Sequence, residues 1–380
     1  MPKHAFSRPR RRTILAAALG GTAAAAIPLS LSAQSAGAAP LRIRGGDLST
    51  LPKNEDHGAT YTAADGTRGD AIKILADAGM NCVRLKVWVN PADGYNDKKH
   101  VLAMAKRAKQ LGQQLLIDFH YSDSWADPGK QNKPAAWASH GYDRLLTDVY
   151  DHTHDVLSAL AAQGTTADYV QVGNELNSGM LWPEGSYENW AQLAGLLKSG
   201  FKAVQDVSKS TKRVLHIANA ADNGTTRWFY DAAVDHDVPF DVVALSYYGY
   251  WHGTFADFRS NLKDTAARYG KPILVVETAY PFTLDDADGF PNNIAAADDL
   301  MDGYPATSEG QQKYFSDVVA AVAAVPDGRG LGVVYWEPAW TAVDGSGWDP
   351  TDPKAGNAWD NQALFNWEGK LLPAARVYSE

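Results

Sequence analysis

The chain has 380 residues, of which 45% are hydrophobic and 21% are charged, and this is enough to build one large core. Its formal net charge of −9 argues against nucleic acid or an anionic membrane as a partner. The single cysteine, Cys82, excludes an intramolecular disulfide, and its apolar strand context predicts a small buried side chain.

The first 38 residues have the pattern of an export signal. A basic segment that contains Arg10-Arg11-Arg12 precedes an Ala/Leu-rich apolar segment, and small residues at 36–38 offer a cleavage site. Adjacent arginines favour the twin-arginine route. A retained membrane anchor is the less favoured alternative, because Gly20-Gly21 and Pro28 interrupt the apolar segment. We therefore expect a signal peptide at 1–38 and a secreted, extracellular, monomeric domain at 39–380, with a net charge of −14 after cleavage.

The rest of the sequence alternates β-favouring apolar runs with amphipathic helical segments. Strands are predicted at 43–48, 82–88, 114–120, 169–175, 214–219, 242–248, 272–277 and 332–337. Helices are predicted at 69–78, 98–111, 142–163, 190–207, 255–269 and 309–324. This alternation predicts an α/β fold with a parallel sheet, and eight such units fit a (β/α)8 TIM barrel with long βα loops. A doubly wound open sheet is the alternative, but the sequence lacks a Gly-x-Gly-x-x-Gly turn after an early strand.

Two of the predicted strands end in a glutamate, Glu175 on the fourth and Glu277 on the seventh. One such residue can simply mark the point where a strand meets water. A pair is more informative, because glutamate is rarely buried unless it is paired or functional. In a barrel these two strands lie across the mouth from each other, where two carboxylates can flank a bound polysaccharide. Glycoside hydrolysis requires such a pair, so we predict that both glutamates are catalytic.

Polar and aromatic residues lie at or just after the ends of the other predicted strands. The candidates for substrate binding are Arg84, Trp88, Asp118, His120, Trp125, Asn174, Asn219, Tyr248 and Trp336. The chain has 12 Trp and 17 Tyr, and flat aromatic rings suit the apolar faces of sugars. Each of the three tryptophans could instead belong to the core, and Asp118 with His120 could merely brace the mouth.

Several blocks of the sequence resemble glycoside hydrolase family 53, the arabinogalactan endo-β-1,4-galactanases. Among them are RGGDLS, DFHYSDSWADPGKQNKPAAW, VQVGNELNSGMLWP, VVETAYPF and YWEPAW, at 44–49, 118–137, 170–183, 275–282 and 335–340. The resemblance implies a retaining enzyme that cleaves β-1,4-galactosidic bonds in galactan and type I arabinogalactan, the side chains of pectin. It implies that Glu175 is the general acid/base and Glu277 the nucleophile.

The other residues receive roles consistent with this chemistry. Arg84 would hold the Glu277 carboxylate ionised, and Asn174 would bind the 2-OH of the sugar at the cleavage point. Tyr248 is predicted to orient Glu277 by strand alternation from Ser246, and Tyr247 is the alternative. Two rival functions remain open, namely a related retaining mannanase or glucanase and a non-catalytic polysaccharide-binding barrel.

A loop after the seventh strand places oxygen ligands at alternate positions. The candidate metal ligands are Asp286, Asp288, the Phe290 carbonyl and Asn292. The loop is no EF-hand, because its twelfth residue is Ala297, and spacing alone also fits a solvated acidic loop. The resemblance implies a structural calcium ion here, with further ligands from 349–352 and no cofactor for catalysis.

Overall fold

The computed structural model describes residues 40–352 and 354–380, so the predicted signal peptide lies outside the described residues. Eight parallel strands close into a barrel, which confirms the predicted fold. The barrel strands are β1 Ile43–Asp47, β2 Cys82–Val87, β3 Gln114–Phe119, β4 Tyr169–Val172, β5 Lys212–Ile217, β6 Val242–Ser246, β7 Ile273–Glu277 and β8 Gly330–Tyr335. Each strand pairs with its neighbours in chain order, and β8 pairs with β1 to close the barrel.

Helices cover the outside of the barrel between successive strands. The longer ones are α1 Ala71–Asp77, α2 Lys98–Gln110, α3 Tyr142–Ala162, α4 Trp190–Val207, α5 Asn223–Asp235, α6 Phe255–Tyr269 and α7 Ser308–Ala323, followed after β8 by the 3₁₀ helix Pro373–Ser379. Two short α-helices, Leu51–Asp56 and Gly249–His252, follow β1 and β6. Within the described ranges, no helix is long and apolar enough to cross a membrane.

Helix α5 was not predicted from the sequence, because its Asn-Gly-Thr-Thr start is unfavourable for a helix and obscures its apolar face. Its N-cap was the available signal. The side chain of Asp222 accepts a hydrogen bond of 3.0 Å from the backbone N–H of Thr225, as an N-cap aspartate does.

The interior of the barrel changes from apolar to polar along the strands. Residues two apart on a strand face the same side, so in β2 Cys82 lies in an apolar interior cluster and Arg84 lies above it. In β5, Val214 likewise lies in the apolar interior cluster, and His216, two residues further on, lies above it. Cys82 is a free, buried cysteine, as predicted. The apolar lower layer thus supports buried polar side chains at the carboxyl ends of the strands, where barrel enzymes carry their active sites.

An irregularity in β7 determines where Glu277 points. Val276 belongs to the interior cluster, so strict alternation would turn Glu277 outward. The pairing of β7 with β6 shifts between Leu245 and Ser246, so that Ser246 pairs with Glu277 and Val276 is skipped. An extra residue of this kind redirects the side chains that follow it. Glu277 consequently faces the barrel mouth.

Candidate active site

A cleft of about 670 Å³ opens at the carboxyl ends of the strands. Eight of the residues predicted from the sequence line it, namely Arg84, His120, Trp125, Asn174, Glu175, Tyr248, Glu277 and Trp336. The structure thus brings both predicted catalytic carboxylates into one cleft with most of the candidate binding residues. The remaining three candidates, Trp88, Asp118 and Asn219, lie outside the cleft wall.

Glu175 lies in a tight turn directly after β4. The strand was predicted to continue to 175, but it ends at Val172, and Gly173 and Glu175 adopt positive φ angles of 84° and 47°. This turn directs the Glu175 carboxyl group into the cleft, where its Oε1 accepts a hydrogen bond of 2.7 Å from the Ser246 hydroxyl. Burial, reinforced by the nearby charge of Glu277, raises the pKa of Glu175 to about 8. Glu175 therefore keeps its proton at neutral pH.

Glu277 has a different set of contacts. Its Oε1 lies 2.9 Å from the guanidinium of Arg84, and its Oε2 accepts a hydrogen bond of 3.1 Å from the Tyr248 hydroxyl. Burial raises the pKa of Glu277, and the Arg84 cation opposes this effect. Because Glu175 has no direct cationic partner of this kind among the described residues, the pair divides its roles, with Glu277 losing its proton first.

Tyr248, and not Tyr247, contacts Glu277. The Tyr247 ring stacks on Phe258 with centroids 4.0 Å apart, and its hydroxyl donates to the Gly253 carbonyl at 3.0 Å. Tyr247 is therefore a core residue, whereas Tyr248 orients Glu277.

Arg84 joins four strand ends through one buried guanidinium. Nη1 bonds to Asp47 at 2.7 Å, and Nη2 lies 2.8 Å from Asp118 and 2.9 Å from Asn174, besides its contact with Glu277. A buried charge of this kind is stable only when its partners are charged or strongly polar. Arg84 consequently fixes Asn174 and Glu277 relative to each other.

Asp118 and His120 contact each other, as the bracing alternative requires, and His120 also lines the cleft, as substrate binding requires. Asp118 is fully buried and accepts from His120 Nε2 at 3.0 Å. His120 Nδ1 accepts from Trp88 Nε1 at 3.1 Å and from the Ala126 backbone N–H at 3.2 Å. Trp88 is 2% exposed, so it supports His120 from behind and does not present a face to the cleft. Asn219 occupies a left-handed turn after β5, with φ of 68°.

Aromatic rings form much of the cleft wall, including several to which the sequence analysis assigned no role. Trp125 donates to the Trp348 carbonyl at 2.6 Å, and Trp336 packs against Trp359 with centroids 4.6 Å apart. Trp251 and Trp348 are 52% and 39% exposed, which is unusual for such large apolar side chains. Trp251 lies in the short helix Gly249–His252 and Trp348 lies in a loop, and strand alternation gives no signal for either.

A second buried ion pair lies beside the cleft, and the sequence analysis did not predict it either. Lys86 Nζ lies 2.6 Å from Glu337 Oε1 and 4.3 Å from the centre of the Trp125 ring. Thr50 donates to Glu337 from its hydroxyl at 2.6 Å and from its backbone N–H at 3.2 Å. Burial raises the pKa of Glu337 to about 7, and the Lys86 cation opposes this rise. The pair supports Trp125 from below by a cation–π contact.

The acidic loop after β7 comes together with a distant residue. Carboxylate oxygens of Asp286, Asp288 and Asp360 all lie within 4.8 Å of one another. The Oδ1 atoms of Asp360 and Asn292 are buried and have no hydrogen-bond partner among the described residues. Burial, together with the neighbouring aspartates, raises the pKa of Asp360 to about 6. Clustered carboxylates with unpartnered oxygens fit a calcium ion, which takes oxygen ligands.

The structure adds two details to the predicted metal site. The third carboxylate of the cluster is that of Asp360, whereas in the predicted stretch 349–352 Asp349 accepts hydrogen bonds from Thr351 within its own turn. Phe290 also lines the cleft, so the acidic loop forms part of the cleft wall.

Comparison with known proteins places this site in a family. The family model described as Glycosyl hydrolase family 53 matches residues 43–378. An endo-beta-1,4-galactanase of Bacillus subtilis is 35% identical over 370 residues, which cover 88% of this chain and 85% of that protein. An arabinogalactan endo-beta-1,4-galactanase of Thermothelomyces thermophilus is 35% identical over 347 residues, which cover 89% and 99%.

A solved structure agrees with these matches. The Ignisphaera aggregans GH53 catalytic domain superposes with a TM-score of 0.85 at 41% identity, covering 89% of this chain and 95% of that one. Because the family match extends over nearly all of the described residues, the chain belongs to glycosyl hydrolase family 53 and is a glycoside hydrolase.

Proposed function

We propose that this chain is a secreted, retaining endo-β-1,4-galactanase that acts on galactan and type I arabinogalactan. The observation that carries the proposal is the contrast in contacts between its two glutamates: Glu277 lies 2.9 Å from the Arg84 guanidinium, whereas Glu175 accepts a hydrogen bond of 2.7 Å from the neutral Ser246 hydroxyl. A carboxyl group whose pKa burial raises and a carboxylate held by a cation are the acid and the nucleophile that a retaining glycosidase requires. The named activity of the family relatives supports galactan as the substrate.

The first step forms a glycosyl ester. The Glu277 carboxylate attacks the anomeric carbon while Glu175 gives its proton to the leaving oxygen, so the glycosidic bond breaks as the ester bond forms. Arg84 and Tyr248 hold Glu277 for this attack. Asn174, which Arg84 fixes nearby, donates to the Ala126 carbonyl at 2.8 Å and is the candidate partner of the sugar 2-OH.

The second step releases the sugar. Glu175, now ionised, accepts a proton from water as the water oxygen attacks the anomeric carbon and the bond to Glu277 breaks. Two inversions at one carbon give net retention. The exposed Trp251 and Trp348 supply stacking surfaces in the open cleft, which suits internal cleavage of a polymer.

Reducing-end release tests the substrate. We expect activity on linear β-1,4-galactan and none above background on β-1,4-mannan, cellulose or xylan, with the Glu277→Gln variant as the blank. Activity on another of these polymers would replace galactan but keep the two catalytic residues. Binding of galactan without hydrolysis would instead favour a polysaccharide-binding barrel.

The proposal includes a structural calcium ion and an exported, monomeric protein. Asp286, Asp288, Asp360, Asn292 and the Phe290 carbonyl would hold the ion, which would brace the cleft wall and take no part in bond cleavage. Export is supported by the arginine-rich and apolar pattern of residues 1–38, and it predicts that the chain recovered outside the cell lacks them.

A further inference from the structure

A buried chain of two side chains lies behind Glu175. Ser246 on β6 and His216 on β5 are both fully buried in the upper layer of the barrel interior. The Ser246 hydroxyl lies 2.7 Å from Glu175 Oε1, and His216 Nε2 lies 2.8 Å from the Ser246 oxygen. The sequence analysis assigned neither residue a role. The three groups form one continuous hydrogen-bonded path into the barrel.

The direction of these hydrogen bonds is set at the far side of the imidazole ring. His216 Nδ1 lies 3.3 Å from the backbone N–H of Glu175 and 2.9 Å from Gln171 Nε2. A backbone N–H can only donate, so Nδ1 is an acceptor. Asn174 Oδ1 also lies 3.0 Å from Nδ1, but its two lone pairs already accept from Arg84 at 2.9 Å and from Gln171 Nε2 at 3.0 Å. Burial lowers the pKa of His216 well below its ordinary value, so the ring is neutral and carries its one proton on Nε2.

This direction determines the state of the Glu175 carboxyl group. His216 Nε2–H donates to the Ser246 oxygen, and the Ser246 O–H then donates to Glu175 Oε1. We propose that His216 and Ser246 are positioning residues for Glu175. The Ser246 hydrogen bond occupies Oε1 of Glu175, so the acid proton lies on Oε2, the oxygen available to the leaving group. The inference rests on the proposed function, in which Glu175 is the general acid/base.

Other charged and titratable groups face the same region. Those that influence Glu175 or His216 are Arg84, His120, Asp127, Tyr248 and Glu277. Among the described residues, only Ser246 makes a side-chain hydrogen bond to the Glu175 carboxyl group. The carboxylates of Glu277 and Asp127 raise the pKa of Glu175, whereas the Ser246 bond lowers it. Removing the Ser246 hydroxyl therefore changes both the orientation and the proton affinity of the acid.

The Ser246→Ala variant tests the positioning role through two substrates. For galactan, where the leaving group needs protonation, we expect kcat/KM to fall about 10-fold or more. For a dinitrophenyl β-galactobioside, whose leaving group needs no proton, kcat/KM should stay within about 2-fold. The basic limb of the pH profile on galactan should move to higher pH. The Ser246→Thr variant keeps the hydroxyl and should restore activity, and Ser260→Ala, at an exposed site on α6, is the matched control.

A measurement on the unmodified protein keeps the inference testable if a variant fails to fold. Nitrogen-15 NMR of the His216 side chain should show a proton on Nε2 and none on Nδ1 near neutral pH. A proton on Nδ1, or equal losses of Ser246→Ala on both substrates, would overturn the inference. A wild-type chain that hydrolyses no galactan would overturn the proposed function, and the acid-positioning role with it, whatever the tautomer.

Discussion

The raised pKa of Glu175 lowers the free energy of unfolding at neutral and alkaline pH, and one substitution can reveal this effect. The unfolded chain releases this proton near pH 4.5, whereas the folded chain retains it to about pH 8. Stability should therefore fall as the pH rises between these values and level off above them. The Glu175→Gln variant has nearly the same shape and cannot ionise. It should match the wild type at about pH 4 and become the more stable protein as the pH rises.

The size of this effect follows from the change in proton affinity. A rise in pKa from 4.5 to about 8 corresponds to at most about 5 kcal/mol, at about 1.4 kcal/mol for each tenfold change in affinity. Glu175 is half-buried and its carboxyl group reaches the cleft, so solvent screening reduces the effect. We expect the Glu175→Gln variant to be more stable by about 2 kcal/mol at pH 9.

Urea unfolding at pH 4, 6, 7.5 and 9 measures the difference. The Glu188→Gln variant, at an exposed surface site, is the control and should show no such pH-dependent gain. If the Glu175→Gln variant gained no stability between pH 4 and pH 9, burial could not be raising the pKa of Glu175, and its assignment as the acid would lose its physical basis.

Three further predictions concern activity, the second ion pair and the metal. Because Glu175 must be protonated in the first step, kcat/KM on galactan should fall above about pH 8, and a profile flat to pH 10 would contradict this. The Lys86→Met variant leaves Glu337 buried without its cation and should lose about 3–5 kcal/mol in urea unfolding at pH 8, whereas the Lys86→Met, Glu337→Gln double variant should recover part of this loss. EDTA should lower the Tm of the wild type and leave the Tm of an Asp360→Asn variant nearly unchanged, and equal responses of the two would exclude Asp360 as a ligand.

Local patterns in the sequence were sufficient to predict the barrel and the position of two glutamates at its mouth. Each strand carries its own apolar signal, and a glutamate at a strand end is visible without knowledge of its neighbours. The position of Glu277 in the structure also depends on the skipped pairing of Val276, which no local pattern indicates.

The residues that the sequence analysis did not identify share one property. Their roles depend on contacts between segments that are distant in the chain. His216 and Ser246 resemble ordinary strand residues until the barrel closes and brings them to Glu175. Asp360 joins the acidic loop from more than 70 residues away, so ligand spacing could not identify it. The burial of Trp88 also depends on distant segments. Trp125 and His120 pack over its ring, so Trp88 offers no stacking surface to the cleft.

The stereochemistry of cleavage tests the central claim most directly. Proton NMR of a linear β-1,4-galactooligosaccharide during the first minutes of hydrolysis identifies the anomer released before mutarotation. If Glu277 forms a glycosyl ester that Glu175 then helps water to break, the first product is the β-anomer. Initial release of the α-anomer would mean a single displacement and would contradict the roles assigned to both glutamates.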